Sequence, residues 1–352
     1  MKAFTYDALP GRVVFGVGAF DRLTDEIDAL GAISVLVVTG GSAKSFADEA
    51  ITSMGGRYAE IFADVEPHVP IEIVERATKV ARNVGADCVV TIGGGSATGF
   101  GKIVALETGM PAIAVPTTYS GSEMTPIYGI TSNGLKRTTR GVRALPKTVI
   151  YDPALTVGVP ASVTGASGMN ALAHCVESLY SRDANPITSI MAEEGIRALA
   201  VGIPASVATP ANLDARSEAL YGAYLAGATL AVAGMAIHHR ICHVLGGTFG
   251  LVHAQVNAVI LPQAAHYNAS VAPEAMASVA RALGADDGPE GLFDLVMEVG
   301  APTSLADLGM REGDLDRAAS LAVDPPPWNP RPVDEASIRA LLDDAYQGRR
   351  PG

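Results

Sequence analysis

Asp87-Cys-Val-Val-Thr-Ile-Gly-Gly-Gly-Ser96 decides how this chain folds. Cys88 to Ile92 is a short apolar run, closed by glycines and too brief for a helix. It reads as a strand buried on both faces. Gly93 to Ser96 then turns the chain where a helix should begin. A strand, a glycine turn and a helix in that order make one unit of a parallel sheet. The flanking sequence repeats the theme. Ser34 to Thr39 is a second buried strand, followed by Gly40-Gly41-Ser42, and Tyr58 to Phe62 is a third. Glu72 to Val84 carries apolar residues at helical spacing after Pro70, and strands at Ala112–Val115 and Thr148–Tyr151 complete the set. The expected architecture is a mostly parallel sheet with helices on both faces.

Beyond Asp152-Pro153 the texture changes. Helical patterns follow one another at Asn170–Tyr180, Ile187–Val201, Leu213–Leu230, His253–Asn268, Pro273–Leu283 and Glu335–Tyr346, without convincing strands between them. The expected division is an α/β domain over 1–157 and an all-α domain over 158–352, with the ligand in the cleft between them. The apolar run Ala219–Ile237 is rich in alanine and glycine, and charged, histidine-rich sequence follows it. It is expected to be a buried core helix rather than a membrane span.

Composition narrows the function. The chain has 352 residues and a formal net charge of -12. That charge argues against a nucleic-acid partner or an anionic membrane, both of which need a basic footprint. Cys88, Cys175 and Cys242 form no CxxC pair and are odd in number, so neither a disulfide framework nor a thiolate zinc site is expected. The first residues lack the apolar run and cleavage site of a signal peptide, and a reducing cytoplasm is the expected location.

Two loops at successive strand ends suggest a dinucleotide. In Gly93-Gly94-Gly95-Ser96 the glycines let backbone approach a pyrophosphate at a helix N-terminus, although the pattern is not GxGxxG. Pro116-Thr117-Thr118-Tyr119-Ser120-Gly121-Ser122-Glu123 is a hydroxyl-rich loop suited to phosphate, ribose or amide groups. Gly93, Gly94, Gly95, Ser96, Thr117, Thr118 and Ser120 are therefore the candidate cofactor residues, with Gly40, Gly41 and Ser42 after the neighbouring strand. No acidic residue stands at Gly40 to repel a 2′-phosphate, so both NADH and NADPH are expected to serve.

The histidines concentrate in the second domain. Asn170 and His174 are four residues apart, as are His239 and His243, so each pair shares a helix face, and His253 follows closely. A lone histidine on an apolar helix is usually a core residue, but two such polar pairs with a third histidine point to a site. On spacing alone it could bind a metal or move protons.

These motifs together, with Asp152-Pro153, resemble the iron-containing alcohol dehydrogenase superfamily over most of the chain. The resemblance implies an α/β dinucleotide-binding N-terminal domain and a helical C-terminal domain, the architecture shared with dehydroquinate synthase, in a protein that is commonly a homodimer. Metal-binding relatives carry an aspartate and three histidines where this chain has Asn170, His174, His239 and His253. His243 matches a histidine assigned to proton transfer or substrate contact. Asn170 removes the anionic ligand, and Gly99 stands where many relatives have an aspartate. Both departures, with Trp328-Asn-Pro-Arg-Pro332, are similar to one branch whose members reduce the carbon–carbon double bond of maleylacetate to 3-oxoadipate in the breakdown of aromatic compounds.

That branch implies a small dicarboxylate substrate, NADH or NADPH, and no metal. His243 and His253 are then the expected catalytic residues, and Asn170, His174 and His239 the expected substrate contacts. Tyr119 and Ser122 are candidate donors to the carboxylates. Lys136, Arg140, Arg143 and Arg331 are the cationic candidates, of which Arg140 and Arg331 are preferred. A metal-dependent alcohol or polyol dehydrogenase, and a lyase of dehydroquinate-synthase type, are the competing expectations.

Overall fold

The computed structural model describes residues 4–9, 11–66, 69–132 and 135–352. The chain divides into two compact units, Leu9–Val159 and Pro160–Gly352, the second joined by the N-terminal residues through Ala8.

In the first unit the order is β1 (Arg12–Phe15), α1 (Leu23–Ala29), β2 (Val35–Thr39), α2 (Lys44–Met54), β3 (Tyr58–Phe62), α3 (Ile71–Asn83), β4 (Cys88–Gly93), α4 (Gly95–Thr108) and β5 (Ala112–Pro116). The hairpin β6 (Ile127–Ser132) and β7 (Leu135–Arg140) follows, and then β8 (Thr148–Tyr151). Six strands form one parallel sheet in the order β1-β8-β5-β4-β2-β3. The period of two along each strand explains the unbroken apolar runs. Val35 and Val37 of β2 pack with Leu23, Ile27 and Ala47 on one face. Leu36 and Val38 pack with Ile73, Val74 and Phe100 on the other. Both faces are covered, so neither needs polar residues.

The strand order locates the ligand-binding edge. The chain runs outward from β2 to β3, then returns to β4 on the other side of β2 and continues to β5. The turns leaving β2 and β4 therefore diverge at a topological switch point, where open α/β sheets bind their ligands. β1 and the hairpin were not foreseen. β1 is a four-residue edge strand with only partial burial, so it carries little periodic signal.

The second unit is helical: α5 (Ala161–Tyr180), α6 (Pro186–Ala208), α7 (Leu213–Val232), α8 (Ile237–Phe249), α9 (His253–Ala269), α10 (Pro273–Leu283), α11 (Gly288–Glu298), α12 (Leu315–Val323) and α13 (Glu335–Gln347). The small residues of α6 and α7 serve close packing: a Cβ on Gly202 would stand 2.3 Å from the backbone nitrogen of Ala219. The expected single helix over Ala219–Ile237 is corrected here. α7 ends at Val232 and α8 starts at Ile237, at 98° to it. The Glu177 carboxylate accepts hydrogen bonds from the backbone N–H groups of Ala236 and His238, each at 2.9 Å, and so caps a new helix. No single helix among the described residues is long and apolar enough to cross a membrane; the bent pair α7–α8 passes only by length and composition.

Candidate active site

The two strand-end loops of the α/β unit are joined. Gly93 has φ of +148°, a conformation that favours glycine, and its carbonyl accepts from the N–H of Thr117 at 3.0 Å. A Cβ on Gly94 would lie 3.1 Å from Thr118 Oγ1, and one on Gly95 3.0 Å from Ser120 Oγ. Thr117, Thr118 and Ser120 thus lie against the glycine turn. Gly40 opens the short turn after β2, which pairs directly with β4.

Lys102, which the sequence reading passed over, binds this region together. Its ammonium is buried and donates to the Ser122 carbonyl at 2.8 Å, Thr125 Oγ1 at 3.0 Å and the Ile127 carbonyl. Burial pushes its pKa down to about 7, against the pull of Glu123. Burial also pushes Glu123 up from its ordinary value, partly opposed by backbone hydrogen bonds and by the Tyr151 hydroxyl, which donates to Glu123 Oε1 at 2.8 Å. The signal was available: a lysine inside an otherwise apolar helix needs partners.

Some of the predicted carboxylate donors are engaged within the fold. Tyr119 is fully buried, and Ser122 contributes its carbonyl to Lys102. Arg331 donates to the Tyr267 carbonyl at 2.9 Å and lies 4.1 Å over the Tyr267 ring, so it fastens the Pro-rich segment to α9. Arg140 is exposed at the foot of the hairpin, opposite Ile127, and Arg143 is exposed nearby. The Lys136 side chain and His68 lie outside the described residues.

The helical unit brings the histidines together. Asn170 and His174 sit on α5, His239 and His243 on α8, and His253 opens α9. The rings form a chain. His174 stacks on His239 at 5.0 Å between centroids, His239 meets His243 edge-on at 6.3 Å, and His243 stacks on His253 at 5.9 Å. Asn170, His174 and His239 are buried, His253 is half-buried and His243 is exposed. Burial, with the neighbouring imidazoles, holds His174 well below the usual histidine range. Burial likewise lowers His238 to about 4, and burial with the His243 charge lowers His239 to about 3. The inner rings are neutral at pH 7, and His243 is open to solvent.

Glu177 and His238 complete the inner layer and were missed in the sequence, although Glu177 lies on the His174 face of α5 three residues on. His239 Nδ1 is 2.7 Å from Glu177 Oε2. Burial pushes the Glu177 carboxyl up, while His238 and backbone hydrogen bonds draw it back. Glu177, His238 and His239 hold potential ligand atoms within 4.8 Å of one another. Those facing atoms are already engaged in mutual hydrogen bonds, so the trio is a network rather than a cradle. The atoms left open to a ligand are Asn170 Oδ1, His174 Nδ1 and His239 Nε2, all buried and without a hydrogen-bond partner in the protein. This donor set is neutral, which weakens its hold on a divalent ion compared with one containing a carboxylate.

A glycine turn at the switch point of a parallel sheet, with a helical unit built around neutral, stacked imidazoles, defines an α/β-plus-helical enzyme of the dehydrogenase type. The chain belongs to the iron-containing alcohol dehydrogenase family. The family's pattern, described as "Iron-containing alcohol dehydrogenase", matches residues 10–153, and that for "Fe-containing alcohol dehydrogenase family, C-terminal" matches residues 164–346. The maleylacetate reductase of Burkholderia cepacia is 51% identical over 351 residues, 100% of each chain. Among solved structures, a putative alcohol dehydrogenase from Ralstonia eutropha JMP134 superposes with a TM-score of 0.98 at 53% identity, covering 100% of both chains. Maleylacetate reductase from Agrobacterium tumefaciens superposes at 0.96 with 45% identity, again over 100% of both.

Proposed function

We propose that this chain reduces the carbon–carbon double bond of maleylacetate to 3-oxoadipate, with NADH or NADPH as hydride donor. The substrate is supported by the names of the full-length relatives. The observation that carries the chemistry is the neutral inner cluster, in which Asn170 stands beside His174 and His239. A dicarboxylate enone is ill suited to a buried carboxylate, because two anions without a cation between them repel strongly at low dielectric.

Hydride adds at the carbon β to the ketone. Negative charge moves to the ketone oxygen as an enolate, and the carbon next to the ketone takes a proton. The protein must stabilise that oxygen and supply the proton. His243 is the proton donor, because it is exposed and can be recharged from solvent, and His253 stacks on it as its partner. Asn170, His174 and His239 orient the substrate. Gly40, Gly41, Ser42, Gly93, Gly94, Gly95, Ser96, Thr117, Thr118 and Ser120 cradle the dinucleotide at the switch point. The enzyme acts as a cytoplasmic homodimer.

The unpartnered atoms of Asn170, His174 and His239 favour one second reading, in which these residues and His253 hold a divalent cation. Such an ion would supply Lewis-acid stabilisation of a substrate oxygen. The two readings separate in one assay: oxidation of NADH by fresh maleylacetate before and after exhaustive chelation, with metal analysis. Retained activity supports the metal-free site. Activity lost to the chelator and restored by Fe²⁺ or Zn²⁺ supports the metal site. No turnover of maleylacetate in either state overturns the proposed substrate.

A further inference from the structure

We infer that Glu177 and His238 are positioning residues that lock His239 with its proton on Nδ1, making its Nε2 a permanent hydrogen-bond acceptor. Two contacts of His239 Nδ1 bear on that proton, one permitting a hydrogen there and the other assigning it. The first begins at Asn257, whose backbone carbonyl lies 3.1 Å from His238 Nε2. A carbonyl oxygen only accepts, so His238 carries a proton on Nε2. His238 Nδ1 faces His239 Nδ1 at 3.2 Å. Two N–H groups pointed at each other would repel. A neutral His238 already has its proton on Nε2, so its Nδ1 is a lone pair and leaves room for a hydrogen on the facing His239 Nδ1.

The second line begins at Glu177. Its Oε2 accepts from the Ala236 N–H and its Oε1 from the His238 N–H, each at 2.9 Å. Both oxygens face donors at the start of α8, the pattern of a carboxylate at a helix N-terminus. Its Oε2 also lies 2.7 Å from His239 Nδ1. A carboxylate cannot donate, so His239 Nδ1 carries the hydrogen.

His239 Nε2 is consequently a bare lone pair, buried and with no hydrogen-bond partner in the protein. The consequence for catalysis rests on the reading above. His239 cannot give the proton to the carbon next to the ketone; through Nε2 it can only receive a hydrogen bond. That agrees with proton donation by His243 of the outer pair. The role of His239 is thus set by Glu177 and His238 behind it.

The test is long-range ¹H–¹⁵N NMR of histidine-labelled full-length protein, with the His239 signals assigned by their loss in His239→Gln. The expected spectrum gives His239 a pyrrole-type Nδ1 and a pyridine-type Nε2. A proton on Nε2, or an average of the two forms, overturns the proposal. Glu177→Gln replaces one acceptor oxygen with a donor amide. It should shift the His239 tautomer and lower kcat/KM by about tenfold or more while leaving the NADH dissociation constant unchanged. A folded Glu177→Gln protein with the wild-type tautomer and full kcat/KM overturns the positioning role. The wild-type spectrum decides by itself should that variant not fold. Because that spectrum needs no turnover, the tautomer stands or falls separately from the choice of maleylacetate as substrate.

Discussion

The packing of α4 on β4 supports a quantitative prediction. Gly101 lies on α4, and a Cβ built there would stand 1.9 Å from Thr91 Cγ2, with Thr91 Cβ at 3.4 Å and Val89 Cγ2 at 3.7 Å. Carbon atoms prefer about 3.5–4.0 Å, so the helix would have to retreat by roughly 1.5–2 Å or Thr91 would have to turn. Turning is resisted by the stiff β-branched side chain and by its hydroxyl, which donates to the Ile113 carbonyl at 3.5 Å. Overpacking of this size costs about 3 kcal/mol, the upper part of the usual range. Alanine gains about 1 kcal/mol over glycine in a helix interior, so Gly101→Ala should destabilise by about 2 kcal/mol. Thr91→Ser deletes the offending methyl and by itself costs about 0.8 kcal/mol. In that background the clash is gone, and Gly101→Ala should stabilise by about 1 kcal/mol. The coupling is therefore about 3 kcal/mol, measurable by urea unfolding of the four proteins followed by circular dichroism. The single variant should also raise the KM for NADH, because α4 carries Gly95 and Ser96 at its start, and Thr91→Ser should restore it. If the two changes are additive within about 0.5 kcal/mol, the packing argument fails.

His243→Ala should lower kcat by about 10²-fold or more with a smaller effect on KM, as expected for a general acid; an unchanged kcat rejects the assignment. Lys102 gives a signed pH effect. Its pKa is about 7 when folded and 10.5 ordinarily, so between those values the unfolded chain binds a proton that the folded chain does not. Stability should therefore rise across that window by up to about 1.4 kcal/mol per pH unit from this group, and Lys102→Met should flatten the rise; parallel curves for the two proteins would show that Lys102 is not responsible. Burial pushes the Cys88 and Cys175 thiols up to about 12, and Cys242 is raised as well, so an aromatic disulfide reagent should leave the native protein unlabelled and find all three thiols after denaturation. Rapid native labelling would contradict the burial.

The legible parts of the sequence were those with strong local signals. The strands Tyr58–Phe62 and Thr148–Tyr151 and the helix Pro273–Leu283 appear with the expected bounds. Their periodicity or flanking punctuation states the element without help from the rest of the chain. The clustered histidines were legible for the same reason, since i,i+4 spacing is local. What stayed hidden depends on partners distant in sequence. The break between α7 and α8 is set by Glu177, some sixty residues earlier, and between them only Gly234 marks the break locally. The contact of Arg331 with Tyr267 was not legible because Tyr267 lies far upstream.

The buried charges explain why the site has a neutral interior without being a weak one. Glu177 caps α8 and fixes His239, so the anion nearest the inner rings is held by two backbone N–H groups. Its charge is stabilised by His238 and by the backbone N–H groups at the helix N-terminus. The imidazoles can then stay unprotonated, as their burial demands, without leaving the carboxylate uncompensated. Restoring an aspartate at Asn170 would add a second anion to this interior with no comparable donors in the protein for its oxygens. Such a group would need a cation, or would take up a proton. Asn170 and the Glu177 cap are thus two parts of one electrostatic solution: a single anion, held by backbone N–H groups, beside an otherwise neutral set of side chains.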